Sequence, residues 1–208
     1  VPAFKPDASN SAQEQLLQFG MHHDGMHFFP IDGGDVSDEG LLVVNHEYTD
    51  DGLLHVGGME PWTSEKVFKS QAAHGVTVAH IRRRNGGWSI VPSEYSRRIT
   101  AFTPMALSGP AAGHRLLRTA MDPSGTKVFG TLNNCAHGVT PWNTYLTCEE
   151  NWNGYFANPE GVVPGADGDA AKAVLAVQKR YGVGATDAGY RWFEHDDRFN
   201  ASLHPNES

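Results

Sequence analysis

The chain has 208 residues and a formal net charge of −8, from 16 Lys and Arg against 24 Asp and Glu. It is long enough to bury a core, and an acidic balance excludes a nucleic-acid partner drawn by bulk field. With 39% apolar and 19% charged residues it is not a disordered chain, and no run approaches the roughly 18 apolar residues of a membrane-spanning helix. The 23 Gly and 12 Pro fit many short strands joined by turns.

The first twenty residues read as a polar lead-in with a short turn of helix at 11–18. Met21-His22-His23-Asp24-Gly25-Met26-His27 follows. Its three His and one Asp attract a metal reading, but no strand or helix register brings them together, so the stretch is expected to be a loop near a site. Ile31-Asp32-Gly33-Gly34-Asp35 is a turn leading into the strand Leu41–Tyr48, which carries Asn45-His46-Glu47. On a strand Asn45 and Glu47 share a face and His46 points the other way. An amide oxygen and a carboxylate so placed make a pair of hard oxygen ligands, while His46 is read as a structural histidine.

Residues 63–73 are spaced for one helical face, with Thr63 or Ser64 as cap. A hairpin is predicted from Gly75–Arg82, Asn85-Gly86-Gly87 and Trp88–Val91. Arg82-Arg83-Arg84 is read as a solvated strand end, too short for a polyanion site. Asp122-Pro123-Ser124-Gly125 is a turn before the strand Thr126–Leu132, and a further strand covers Asn143–Cys148. The last predicted helix is Ala170–Tyr181, with Asp169 as N-cap and Gly182 or Gly184 as stop. The chain begins with Val1 and ends on Pro205-Asn206-Glu207-Ser208 without capping character, and it is read as a portion cut from something longer.

Two clusters carry the chemistry. In Thr131-Leu132-Asn133-Asn134-Cys135-Ala136-His137-Gly138 a strand runs into a loop bearing Cys135. A cysteine there serves as thiolate nucleophile, soft metal ligand or small buried residue under a turn, and the residues alone leave these open. In Thr147-Cys148-Glu149-Glu150-Asn151 the two carboxylates alternate, so only one of Glu149 and Glu150 faces a given site. Aligning Leu41–Tyr48 with Thr144–Asn151 sets His46 over Glu149 and Glu47 over Glu150, a weak internal repeat of strands delivering acidic ends to one point. Cys135 and Cys148 form no disulfide framework. Phosphate-loop, Gly-x-Ser-x-Gly, His-Glu-x-x-His and dinucleotide motifs are missing.

These clusters, in this order, resemble the PhoX alkaline phosphatase family. The matching stretches are Gly20–Pro30, Leu42–Thr49, Pro61–Gly75 and, most specific, Gly130–Phe156, GTLNNCAHGVTPWNTYLTCEENWNGYF. The resemblance implies an all-β fold, part of a six-bladed β-propeller with short helical insertions, with residues 1–208 as the N-terminal portion of one catalytic domain truncated after 208. It implies hydrolysis of small-molecule phosphate monoesters to inorganic phosphate through a cluster of iron (Fe3+) and calcium (Ca2+) bridged by an oxo group, with an oxygen held by the metals as nucleophile. Under it Cys135 and Glu150 are the catalytic residues, and the metal ligands are Cys135, Glu150, Glu149, Asn45 and Glu47, with Cys135 on iron. Further ligands are expected beyond Ser208. A periplasmic or extracellular monomer exported by the twin-arginine route is expected, without membrane span or specific nucleic-acid partner. The competing readings are another metal-dependent propeller hydrolase, a lactonase or phosphodiesterase, and a non-catalytic propeller fragment or binding module.

Overall fold

A computed structural model describes residues 1–31 and 38–204. The predicted turn around Gly33-Gly34 and the Pro205–Ser208 ending lie outside the described residues. Strands in antiparallel pairs dominate, with few helices. The chain divides into two compact units, one of Val1–Glu60, Phe68–Thr103 and Gly130–Glu150, the other of Pro61–Val67, Pro104–Phe129 and Asn151–Ser208.

The first unit opens with α1 (Ala12–Gln15), held by a reciprocal capping box between Ser11 and Glu14. Its main sheet contains β1 (His23–Pro30), β2 (Glu39–His46), β3 (Gly75–Arg84), β4 (Gly87–Ile90) and β5 (Arg97–Ile99). β1 pairs with β2 and β2 with β3, and β4 and β5 both pair with β3. Since β2 takes one edge of β3, the other edge is divided: Ile81–Arg84 meets β4 and Val76–Val78 meets β5. β3 is buried along Gly75–His80, as a central strand should be.

The apolar layer is Val43, Val76 and Val78, with Phe29, Leu41, Ile99 and Tyr145 packed against it. The β3–β4 turn is Asn85-Gly86, whose φ values of 53° and 79° are those of the hairpin turn that matches strand twist. At the strand end Arg82 pairs with its cross-strand neighbour Glu39 while Arg83 and Arg84 are exposed, so the arginine run is a solvated end. A short α2 (Asp51–Leu54) follows β2, capped by the Asp50 side chain.

The predicted helix at 63–73 is α3 (Ser64–Ala72), with the Thr63 hydroxyl accepting from Lys66 N at 3.3 Å. Two two-stranded sheets complete the strands: β6 (Thr103–Ala106) with β7 (Lys127–Gly130), and β8 (Asn134–Val139) with β9 (Tyr145–Glu149). The turn before β7 is organised by Asp122, whose carboxylate accepts from Ser124 N, Thr126 N and Lys127 N. The second unit is centred on buried Tyr155, Trp192 and Phe199; Tyr190 stacks on Tyr155 at 4.2 Å between centroids. Its helix α4 (Gly168–Arg180) starts two residues before the predicted start, with Asp167 rather than Asp169 at the N-cap. Gly168, at the start of the helix, adopts φ 50°, in the left-handed region that a glycine accommodates. Among the described residues no helix is long and apolar enough to cross a membrane.

Two expectations are corrected. The His22–His27 stretch is not a loop: from His23 onward it is β1. Cys135 is not on a loop either, but within β8. Both strands were hidden by irregularity. Pairing runs from His23↔His46 to Met26↔Val44, so Asp24 and Gly25 together face Asn45. It runs likewise from Asn134↔Glu149 to His137↔Thr147, so Cys135 and Ala136 together face Cys148. Each is a β-bulge, which erases the period-two pattern by which strands are read.

Candidate metal centre

The two bulges and the ends of two strands meet in the first unit. Asp24 comes from the β1 bulge, Cys135 from the β8 bulge, and Glu47 from the residue immediately after β2. One ligand atom from each lies within 4.8 Å of the others. Glu150, the residue immediately after β9, completes the group electrostatically, acting on both Glu47 and Cys135. Glu47 and Glu150 thus occupy matching places after their strands, as the aligned repeat expects.

The charges explain what this arrangement invites. The Cys135 thiol is pushed up to about 12, first by its hydrogen bond to the Asp24 carboxylate, then by burial and by Glu150. Glu47 is raised by burial and then by the negative charges of Asp24 and Glu150, against a smaller opposing effect of His22. Carboxylates packed around a thiol favour a proton, or a cation that takes its place. A thiol with several carboxylates is a donor set of mixed softness that fits a metal ion. Cys135 and Cys148 are both free thiols, and Cys135 alone lies in the cluster.

The other residues named from sequence fall elsewhere. Asn45 is fully buried. Its Nδ2 donates to the Cys135 carbonyl at 2.8 Å, and its Oδ1 accepts from the Tyr145 and Thr147 hydroxyls, each at 3.0 Å. With both acceptor positions occupied by protein donors, the amide oxygen is not offered to the cluster. Glu149 is turned to the other side of its strand end: Oε1 accepts from Thr131 Oγ1 at 2.6 Å and Leu132 N at 3.0 Å. That agrees with the alternation that lets only one of the two glutamates face a site. His46 is buried, with Nε2 2.6 Å from Thr77 Oγ1 and its ring against His23.

Asp24 is the ligand-type residue that sequence reasoning left out. The dense His-His-Asp-Gly-Met-His run was its signal, but the bulge concealed the strand. Gly25 shows why the run has its form. A Cβ at this position would lie 2.7 Å from the Cys135 carbonyl oxygen and 2.8 Å from His137 Nδ1, so a residue without a side chain lets β1 and β8 approach. His22 carries φ 44° and stacks flat on Tyr48, with centroids 3.9 Å apart.

Comparison with known proteins gives the arrangement its context. The family model for alkaline phosphatase PhoX matches residues 1–208. Among solved structures, Pseudomonas fluorescens PhoX in complex with vanadate, a transition state analogue, is 42% identical, with a TM-score of 0.87 over 99% of this chain and 34% of that one. The chain therefore spans about a third of the length of that structure's chain. The curated proteins give no match. Matched along its whole length by the family model and superimposing on a solved member, the chain belongs to the PhoX alkaline phosphatase family.

Proposed function

We propose that this chain forms part of a metal-dependent alkaline phosphatase that hydrolyses phosphate monoesters and releases inorganic phosphate. The observation that carries the reading is the convergence of Asp24, Glu47 and Cys135 within 4.8 Å, with Glu150 beside them. Family membership and the likeness to a PhoX bound to vanadate support it.

In this reading the strands belong to a β-propeller, Cys135 ligates iron, and Asp24, Glu47 and Glu150 offer oxygens to iron or calcium. A cluster bound there supplies Lewis-acid neutralisation of phosphoryl oxygens. The residues of the chain hold the donors in place: Asn45 bonds the Cys135 carbonyl in one bulge and Tyr145 the Gly25 carbonyl in the other. An acidic site without cations repels a phosphate dianion, so occupancy governs substrate binding as well as chemistry. The protein acts as a monomer in the periplasm or outside the cell.

The test uses the full-length protein. Turnover of p-nitrophenyl phosphate is expected to disappear on chelation and in Cys135→Ala, and metal analysis is expected to return stoichiometric iron with calcium. Wild-type turnover in Cys135→Ala, or active protein without iron, would overturn the assignment. Preference for a lactone or a phosphodiester in substrate profiling would place the chemistry in another hydrolase class.

A further inference from the structure

Asn45 combines complete burial with full use of its hydrogen-bonding capacity at the one point where both bulges meet. It is the residue opposite Asp24 and Gly25 in the β1–β2 pairing. Across the other interface its Nδ2 reaches the carbonyls of both β8 bulge residues, Cys135 at 2.8 Å and Ala136 at 3.4 Å. On the oxygen side the Tyr145 hydroxyl is shared between Asn45 Oδ1 at 3.0 Å and the Gly25 carbonyl at 3.1 Å. Thr147 donates the second hydrogen bond to Oδ1.

This surrounding fixes which way the amide points. Turned by half a rotation, it would aim its oxygen at two carbonyl oxygens and its NH2 at two hydroxyls already placed as donors. The amide therefore has one orientation, and in it a single side chain links the backbone of the Cys135 bulge to that of the Asp24 bulge through Tyr145 and Gly25. An aspartate would match Asn45 in size but lacks the donor. A carboxylate oxygen would then face the Cys135 carbonyl, and the two bulges would part.

We propose that Asn45 is a positioning residue for the cluster, its amide setting the separation of the Asp24 and Cys135 bulges so that the thiol and the carboxylates meet at one point. The proposal rests on the reading of Cys135 as a metal ligand. It gives the asparagine of the Asn-His-Glu strand end a role different from the ligand role expected from sequence. The amide does not coordinate; it holds the backbone of a residue that does.

The experiment strips the full-length protein of metal and titrates it with Cd2+, following the thiolate-to-cadmium charge-transfer absorption. The band is expected in the wild type and not in Cys135→Ala. Asn45→Asp is expected to weaken cadmium binding about tenfold or more, the scale of loss when groups supporting metal ligands are removed, and to lower the absorption per bound cadmium. Because Asn45→Asp places a carboxylate in a buried site and can fail to fold, Thr147→Val and Tyr145→Phe remove the donors that orient the amide. Each is expected to weaken binding several-fold, while Thr147→Ser, which keeps the hydroxyl, restores the wild-type titration. Wild-type affinity and band in folded Asn45→Asp, or in both donor-deletion variants, would overturn the positioning role. So would equal losses in Thr147→Ser and Thr147→Val, which mark a packing effect alone. A wild type without a cysteine-dependent band would instead overturn the ligand assignment of Cys135, and the positioning role with it.

Discussion

A methyl group on residue 25 has no room. Built on the Gly25 backbone, it would stand 2.7 Å from the Cys135 carbonyl oxygen, 2.8 Å from His137 Nδ1 and 2.9 Å from His137 Cβ. The exposed His137 ring can turn aside, but the Cys135 carbonyl cannot move without stretching its 2.8 Å bond from Asn45. Comfortable contact begins near 3.5 Å, so Gly25→Ala must open the β1–β8 approach by roughly 0.8 Å. Overpacking of that kind costs about 1–3 kcal/mol. Relieved wholly at the cluster, it is a loss of about five- to 150-fold in metal affinity, because Asp24 is carried away from Cys135. The assay is metal content after equilibrium dialysis of the full-length protein, beside thermal unfolding of the stripped protein. Gly138→Ala is the control, since a methyl there meets nothing within 4 Å. If Gly25→Ala retains metal as well as Gly138→Ala does, the close approach of the two strands is not what assembles the site.

The two glutamates after β9 separate cleanly by substitution. Glu150→Gln is expected to lower bound metal and turnover together, whereas Glu149→Gln keeps bound metal and loses about 1 kcal/mol of stability through its weakened bonds to Thr131 and Leu132, as read by metal analysis and chemical denaturation. Acid stability should report His74, which is buried and whose Nδ1 lies 2.7 Å from the Ser70 carbonyl. Burial holds it down at about 4, from an ordinary value of 6.5. The unfolded chain therefore binds the extra proton between these values, and stability falls as pH drops from about 6.5 towards 4, by on the order of 3 kcal/mol. Denaturation midpoints across that range should lose part of their slope in His74→Gln, and an unchanged slope would refute the assignment. In the β3–β4 turn, Gly86→Ala places an alanine at φ 79° and should cost about 1 kcal/mol without altering metal content.

What could be read in advance divides along physical lines. The β3–β4 hairpin, the capped helix at 64–72 and the Asp122 turn are each specified by neighbours in sequence, through turn glycines, a capping hydroxyl and an Asx bond. They were legible for that reason. Glu47 was legible because it continues a regular alternating strand by one residue, so alternation gives the face on which it emerges, whereas Glu150 was set ahead of Glu149 only by the family resemblance. Asp24 was not legible, because the His23–Met26 register shift breaks the alternation at the residue that matters. The ligand role expected for Asn45 came from its face on the strand. Its actual partners, Cys135 and Tyr145, lie 90 and 100 residues away, and no local pattern reveals them. Glu149 was separable from Glu150 in principle by alternation, but which one faced inward depended on Thr131 and Leu132.

The paired bulges make the centre sensitive to residue number as well as to residue type. Deleting Ala136 would leave one residue opposite Cys148, and β8 would become an ordinary strand able to pair with β9 along its whole length. The flanking pairs Asn134↔Glu149 and His137↔Thr147 would stay as they are, but the local bend that the extra residue puts into β8 would be lost, and the thiol would be aimed away from the carboxylates although no ligand had been mutated. Loss of one residue at Gly25 would do the same to Asp24. Single-codon deletions in these two strands are therefore a way to silence the centre while keeping a folded sheet, and the spacing of Asp24 and Cys135 from their strand ends is as much a part of the site as the groups themselves.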